Sequence, residues 1–274
     1  MKIKNKIVCL VALSMLVIAT GCQSTGGNDE KVENDVKLSK EEIYQKAIET
    51  LNEAKYFDVT MVVDSKMNST EATGTEENIN MSLYSEVTTL VDLSDKENPS
   101  YKVDAHVKMF GMDVKTTQYY VDGYSYTEAL GMKAKTKVTT DEFSELTYIP
   151  DSDTLPGEID VFEFEETEDA YVYKIDSTDE VINFIQNIDG MDDIINLEDD
   201  LLSNGGAIEN AYIELVISKE YKVLSQKISL KVNAVEEGNK LVVDMAIEAI
   251  FNSINEPLEI VVPNEEEYKE QTEE

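Results

Sequence analysis

Apolar and polar positions along this chain change period twice in a way that lays out its architecture. Ser39-Lys-Glu-Glu42 has the spacing of a capping box, and Ile43, Ala47, Leu51 and Ala54 follow at intervals of three and four. Residues so spaced lie on one side of a helix, so an amphipathic helix of about 15 residues is expected from Ser39. From Tyr56 the period falls to two. Phe57, Val59, Met61 and Val63 alternate with Asp58, Thr60 and Asp64, the pattern of a half-buried strand.

Further alternating runs cover Met81–Leu93, Tyr101–Met109, Met112–Val121 and Tyr124–Val138. Between them stand Glu97-Asn98-Pro99, Gly111, Asp122-Gly123 and Gly131. Links this short make neighbouring strands antiparallel, since a parallel crossover needs a dozen residues or more. A brief helix is expected from Thr139 to Leu146, then an acidic loop between Pro150 and Pro156, then a hairpin from Val161–Glu165 and Tyr171–Ile175. Ser177 and Glu180 form a second capping box ahead of Val181, Ile182, Phe184, Ile185 and Ile188, and a further helical piece is expected through Ile194–Leu202.

The C-terminal third has the cleanest alternation. Ile213, Leu215 and Ile217 lead into Ile228, Leu230, Val232 and Ala234, and then into Leu241, Val243, Met245, Ile247, Ala249 and Phe251. Ser229, Lys231, Asn233, Asp244, Glu248 and Asn252 occupy the other side, so the sheet is apolar on one face only. The fold class is therefore α+β: a strongly curved antiparallel sheet, a half-barrel of about ten or eleven strands, covered by a few helices. Asn264–Glu274 is rich in Glu and is expected to fray as an acidic tail.

The front of the chain is of another kind. Lys2, Lys4 and Lys6 precede an apolar run from Ile7 to Ala19, too short to span the ~20 residues a bilayer requires. Leu16-Val-Ile-Ala-Thr-Gly-Cys22 resembles the lipobox of bacterial lipoproteins, with Ala19 where Leu, Val or Ile is usual. The resemblance implies a signal peptide over 1–21 and diacylglycerol on Cys22, which would hold the protein on the outer face of the cytoplasmic membrane. Residues 22–38 then form a polar tether, 39–263 the domain and 264–274 the tail.

Composition narrows the chemistry. The net charge is −34 and the chain has no arginine, so a nucleic-acid partner is excluded on charge and on the lack of a bidentate phosphate ligand. Cys9 and Cys22 are the only cysteines, which leaves no disulfide framework. His106 is the single histidine and should sit on the polar side of its strand with Asp104 and Lys108. No zinc set, no Gly-x-Ser-x-Gly elbow and no phosphate-cradling glycine loop occurs. Asn187–Asp193 has the look of a calcium loop, but Ile185 and Asn196 would fall on ligand positions. No enzyme activity, cofactor or metal is expected.

An acylatable cysteine, a tether, one helix, a meander, a helical insertion and a closing meander together resemble the LolA-like, or LppX-like, lipoproteins. Tyr119–Tyr126 with Gly131–Lys135, and Phe251–Pro263, are similar to segments of uncharacterised lipoproteins of low-GC Gram-positive bacteria. The resemblance implies a half-barrel with an apolar cavity under helices and a lipid or other hydrophobic ligand. Met61, Met109, Met112, Met132 and Met245 lie on or near strand faces, where Met suits an adaptable cavity as well as a core. The cavity-facing candidates are Met61, Val63, Met109, Ile228, Leu230, Val243, Met245 and, on a helix, Phe184. A second reading is an acidic interaction module whose interior is only core.

Overall fold

The computed structural model describes residues 37–70, 79–95, 98–138, 159–186, 206–236 and 239–270. The signal peptide, Cys22, the helices expected over 139–146 and 194–202, and the Asn187–Asp193 segment lie outside the described residues.

Helix α1 (Lys40–Asn52) begins as its residues predict. The Ser39 hydroxyl accepts from the Glu42 amide at 3.2 Å, and the Glu42 carboxylate accepts from the Ser39 amide at 2.8 Å. Two otherwise orphaned donors are thereby satisfied. After Ala54 the chain turns, the Lys55 amide donating to Asn255 Oδ1 at 2.8 Å, and enters the sheet.

Twelve strands make one sheet: β1 (Tyr56–Thr70), β2 (Ile79–Asp92), β3 (Ser100–Met109), β4 (Met112–Val121), β5 (Tyr124–Ala129), β6 (Met132–Lys137), β7 (Glu163–Glu166), β8 (Ala170–Ile175), β9 (Ala207–Ser218), β10 (Val223–Glu236), β11 (Asn239–Ile254) and β12 (Lys269–Glu270). A second helix, α2 (Thr178–Gln186), follows β8. The order is β12-β6-β5-β4-β3-β2-β1-β11-β10-β9-β8-β7. All pairings are antiparallel except β12 with β6. The strand total exceeds the ten or eleven expected because the two residues of β12 carry no period to read.

Curvature follows from stagger. On β2, Ile79 meets β1 while Leu83 is the first residue to meet β3, four residues further in. The same step recurs on β4, where Met112 closes one hairpin and Thr116 meets the end of β5. Such shear tilts the strands and curls an open sheet toward a barrel. β1, β10 and β11, at 14 to 16 residues, form the long spine.

Register sorts the side chains. The row Val103, Thr89, Val59, Phe251 points to one face, hereafter inner, and Lys102, Asp104, His106 and Lys108 point to the outer face. His106 thus falls where its strand pattern places it, with Nε2 2.8 Å from Asp113 Oδ1.

The C-terminal segment departs from expectation. Instead of leaving the domain at Asn264, it continues through a 3-10 turn (Glu265–Glu267) into β12. Tyr268 is buried beside Tyr119, Tyr126 and Val262 in a second core on the outer face. Its ring meets Tyr126 edge-on at 5.4 Å. Glutamates dominate the composition of this segment, but one aromatic residue outweighs them by burying far more apolar area than its neighbours expose.

Candidate functional site

The inner face is mainly apolar over β1–β3 and β8–β11, yet only part of it is covered by the described helices. Ile43, Ala47, Ile48 and Leu51 of α1 and Val181 of α2 join buried residues of β1 and β8–β11 in one continuous core. Each Ile or Leu so buried contributes about 1.5–3 kcal/mol.

Aromatic rings tie helices to sheet within that core. Tyr173, fully buried, donates its hydroxyl to the Lys40 carbonyl at 2.6 Å and lies 5.1 Å from the Phe164 ring and 6.3 Å from Phe162. Phe162 meets Phe184 of α2 edge-on at 5.0 Å. Burial raises the Tyr173 hydroxyl above the ordinary phenol range and pushes that of Tyr44 up to about 12. Lys40 reaches past them to the carbonyls of Ile159, Asp160 and Phe162 at 3.1–3.3 Å, pinning the start of α1 to the 3-10 turn Ile159–Val161.

Of the cavity-facing candidates, Met61, Val63, Leu230, Val243 and Met245 are buried members of this core, with Ile228 and Phe184 packed against it. Met109 shares their face but lies apart, at the inner end of the β3–β4 hairpin. Seven candidates are thus brought together and one is not. Of the other methionines, Met112 and Met132 are exposed at hairpin turns.

A stretch that the sequence pattern did not single out lies next to the core. Leu83, Val87 and Val91 of β2, Val103, Ala105 and Val107 of β3 and Val114 of β4 continue the inner face across the sheet. All of them are half-buried, and no residue of β2–β6 belongs to the main core. Polar groups are interspersed: Ser85 sits between Val63 and Val107, Ser65 is buried opposite Leu83, and Gln118 donates to the Ser125 hydroxyl at 3.0 Å. Tyr101 and Tyr120 stack at 5.5 Å at one margin. An apolar face with a few placed polar groups is the chemistry of a site for a hydrophobic ligand. The alternation in β2 and β3 revealed which side chains share a face, but not that α1 and α2 stop short of them.

The outer face is chemically different. Lys231 pairs with Glu209 at 3.0 Å, Lys102 with Asp104 at 2.6 Å, and Asn252 donates to Asp58 and Thr60 across a β-bulge in the β1–β11 ladder. Among the described residues, no three His, Cys, Asp or Glu side chains converge as metal ligands. Among the same residues, no helix is long and apolar enough to cross a membrane.

No curated protein sequence matches the chain. LprF from Mycobacterium bovis superposes with a TM-score of 0.40 at 14% identity, covering 81% of this chain and 95% of that one. A LolA superfamily protein, NE2245 from Nitrosomonas europaea, superposes with a TM-score of 0.19 at 8% identity, covering 78% and 94%. Overlap this partial leaves the fold to stand on the sheet's own topology. Residues 39–271 match the model of a family of unknown function, DUF6612, and the chain belongs to that family.

Proposed function

We propose that this member of the DUF6612 family is a lipoprotein held on the outer face of the cytoplasmic membrane through acylated Cys22, and that it binds a lipid or another hydrophobic molecule without catalysing a reaction on it. One observation carries the ligand reading. The apolar inner face runs on from β1 across β2, β3 and β4 beyond the reach of α1 and α2, and its valines and leucine remain half-buried. Leaving such side chains in contact with water costs about 25 cal/mol for each Å² of apolar surface, a cost a bound acyl chain removes.

The ligand rests on the open part of the face, with the helix-covered core as its rigid backing. Ser85, Gln118 and Ser125 offer the polar contacts that orient a head group. The cysteine supports the location: the segment before it has the charge and length of a signal peptide, and two acyl chains anchor stably where one does not.

The test is native mass spectrometry of protein purified from membranes. A co-purifying hydrophobic molecule is expected with the wild type and should be absent from Val103→Asp and Val107→Asp, which place a carboxylate on the open face. A wild type that carries no such molecule favours the reading as an acidic interaction module. Metabolic labelling with a clickable fatty acid separately reads the anchor, with label expected on the wild type and lost in Cys22→Ala.

A further inference from the structure

Neither the core nor the open inner face accounts for four large apolar side chains. Phe110, Met112, Leu130 and Met132 are 62%, 54%, 74% and 68% exposed. Phe110 and Leu130 sit on the two-residue turns joining β3 to β4 and β5 to β6, and Met112 and Met132 begin the strands that follow, all at the same end of the strands. The surrounding sequences repeat: Met109-Phe-Gly-Met-Asp-Val-Lys-Thr116 and Ala129-Leu-Gly-Met-Lys-Ala-Lys-Thr136 share Gly, Met, Lys and Thr in the same places.

The backbone at these turns makes the choice of residue costly. Phe110 (φ 53°) and Leu130 (φ 52°) both occupy the left-handed region, ahead of Gly111 and Gly131. Asn, Asp or Gly is the favoured residue there, and the β4–β5 turn at the opposite end uses Asp122-Gly123 with the same angles. A Cβ added to Gly111 or Gly131 would meet no atom within 4 Å, so both tips stand clear of the rest of the protein. A strained position filled twice by a bulky apolar residue in open space calls for an apolar surrounding from outside the chain.

Charge says which surrounding. Residues 105–116 and 129–135 contain four lysines, Lys108, Lys115, Lys133 and Lys135, against one acidic residue, Asp113, in a chain of net charge −34. Lys133 is held by Glu128 and Glu267, whereas Lys108 and Lys115 are exposed. The chain's net charge of −34 repels an anionic bilayer, so the lysine-bearing tips are a part that can approach one.

We propose that the two hairpin tips seat in the headgroup region of an anionic phospholipid bilayer, with Phe110, Met112, Leu130 and Met132 entering the acyl boundary and the flanking lysines contacting phosphate. This deepens the membrane attachment proposed above by fixing which rim of the half-barrel faces the lipid. Cys22 is compatible with that orientation. The fifteen residues from Gln23 to Lys37 can span at most about 50 Å, more than the roughly 34 Å length of a ten-residue strand such as β4.

The chain has no tryptophan, so Phe110→Trp, Leu130→Trp and a control, Leu224→Trp at the β9–β10 turn on the other rim, each create a single reporter. Protein purified from membranes is reconstituted into vesicles of phosphatidylglycerol and phosphatidylcholine with brominated acyl chains, and into vesicles of brominated phosphatidylcholine alone. The tip reporters are expected to show a blue shift and loss of emission in the anionic vesicles and less of both in the zwitterionic ones, while Leu224→Trp keeps its emission. Unquenched tips, as a protein partner at this surface would leave them, overturn the proposal. So does quenching of all three reporters alike, or quenching indifferent to lipid charge. Tip quenching is read without any bound ligand, so absence of a co-purifying lipid leaves this result standing, and loss of quenching leaves the ligand result standing.

Discussion

The two halves of this sheet solve the same packing problem on opposite faces. From β1 through β11 to β8, the inner face is sealed by α1 and α2. From β4 to β6, the outer face is sealed instead by the closing segment through Val262 and Tyr268. Where the cover changes sides, the inner faces of β2 and β3 are left half-buried. Among the described residues, a continuous sheet is thus stabilised in both halves and still keeps an apolar surface outside either core, because each half takes its core from a different face.

The sharpest way to break that comparison is to cut into the sealed half. Ile213→Ala, at a residue 2% exposed, is expected to cost about 2–5 kcal/mol. Val103→Ala on the open face should cost much less, under about 1.5 kcal/mol. Urea unfolding of the two variants decides this, and equal losses would mean that the open face is packed core.

Tyr268→Ala comes next. Removing this ring from the second core should cost about 2–4 kcal/mol and speed hydrogen exchange in β5 and β6 while leaving the amides of β9–β11 protected. Uniform loss of protection would show that the two cores unfold as one.

Ser39→Ala removes one arm of the capping box and should cost about 1 kcal/mol, read as a drop of roughly 2–4 °C in Tm. Tyr268→Phe should change stability by less than about 0.5 kcal/mol, because among the described residues its buried hydroxyl has no hydrogen-bond partner to lose.

The smallest effect is pH-dependent and lies at the rim of the sealed half. Hydrogen bonds from Lys37 and Lys219 hold the Glu166 carboxylate below its ordinary value of 4.5. A depressed carboxylate stabilises the fold above its unfolded value, and that stability is lost as the pH falls through the folded one. Glu166→Gln should therefore lower the Tm slightly at pH 7, with the difference from wild type vanishing at acid pH. A difference that persists in acid would assign the effect to packing.

Much of this was legible in the residues themselves. The capping boxes at Ser39 and Ser177, the alternating runs and the Gly-centred turns placed α1, α2 and nearly every strand, because each signal is local. Met61, Val63, Ile228, Leu230, Val243 and Met245 meet in the main core because residues two apart on a strand must share a face. Three things were hidden. β12 is too short to have a period, Tyr268 sits among glutamates that mask it, and the stagger between hairpins is a property of pairing rather than of any one strand.

Residue order alone therefore determined most of the elements and the sidedness of the sheet, since these depend on periodicity and on contacts a few residues long. Tertiary structure alone decided which inner-face residues became core and which stayed half-buried outside it. Those outcomes depend on how far a helix of 13 residues reaches across strands of up to 16 and on where the chain end comes to rest, and contacts between residues so distant in sequence leave no mark in local pattern.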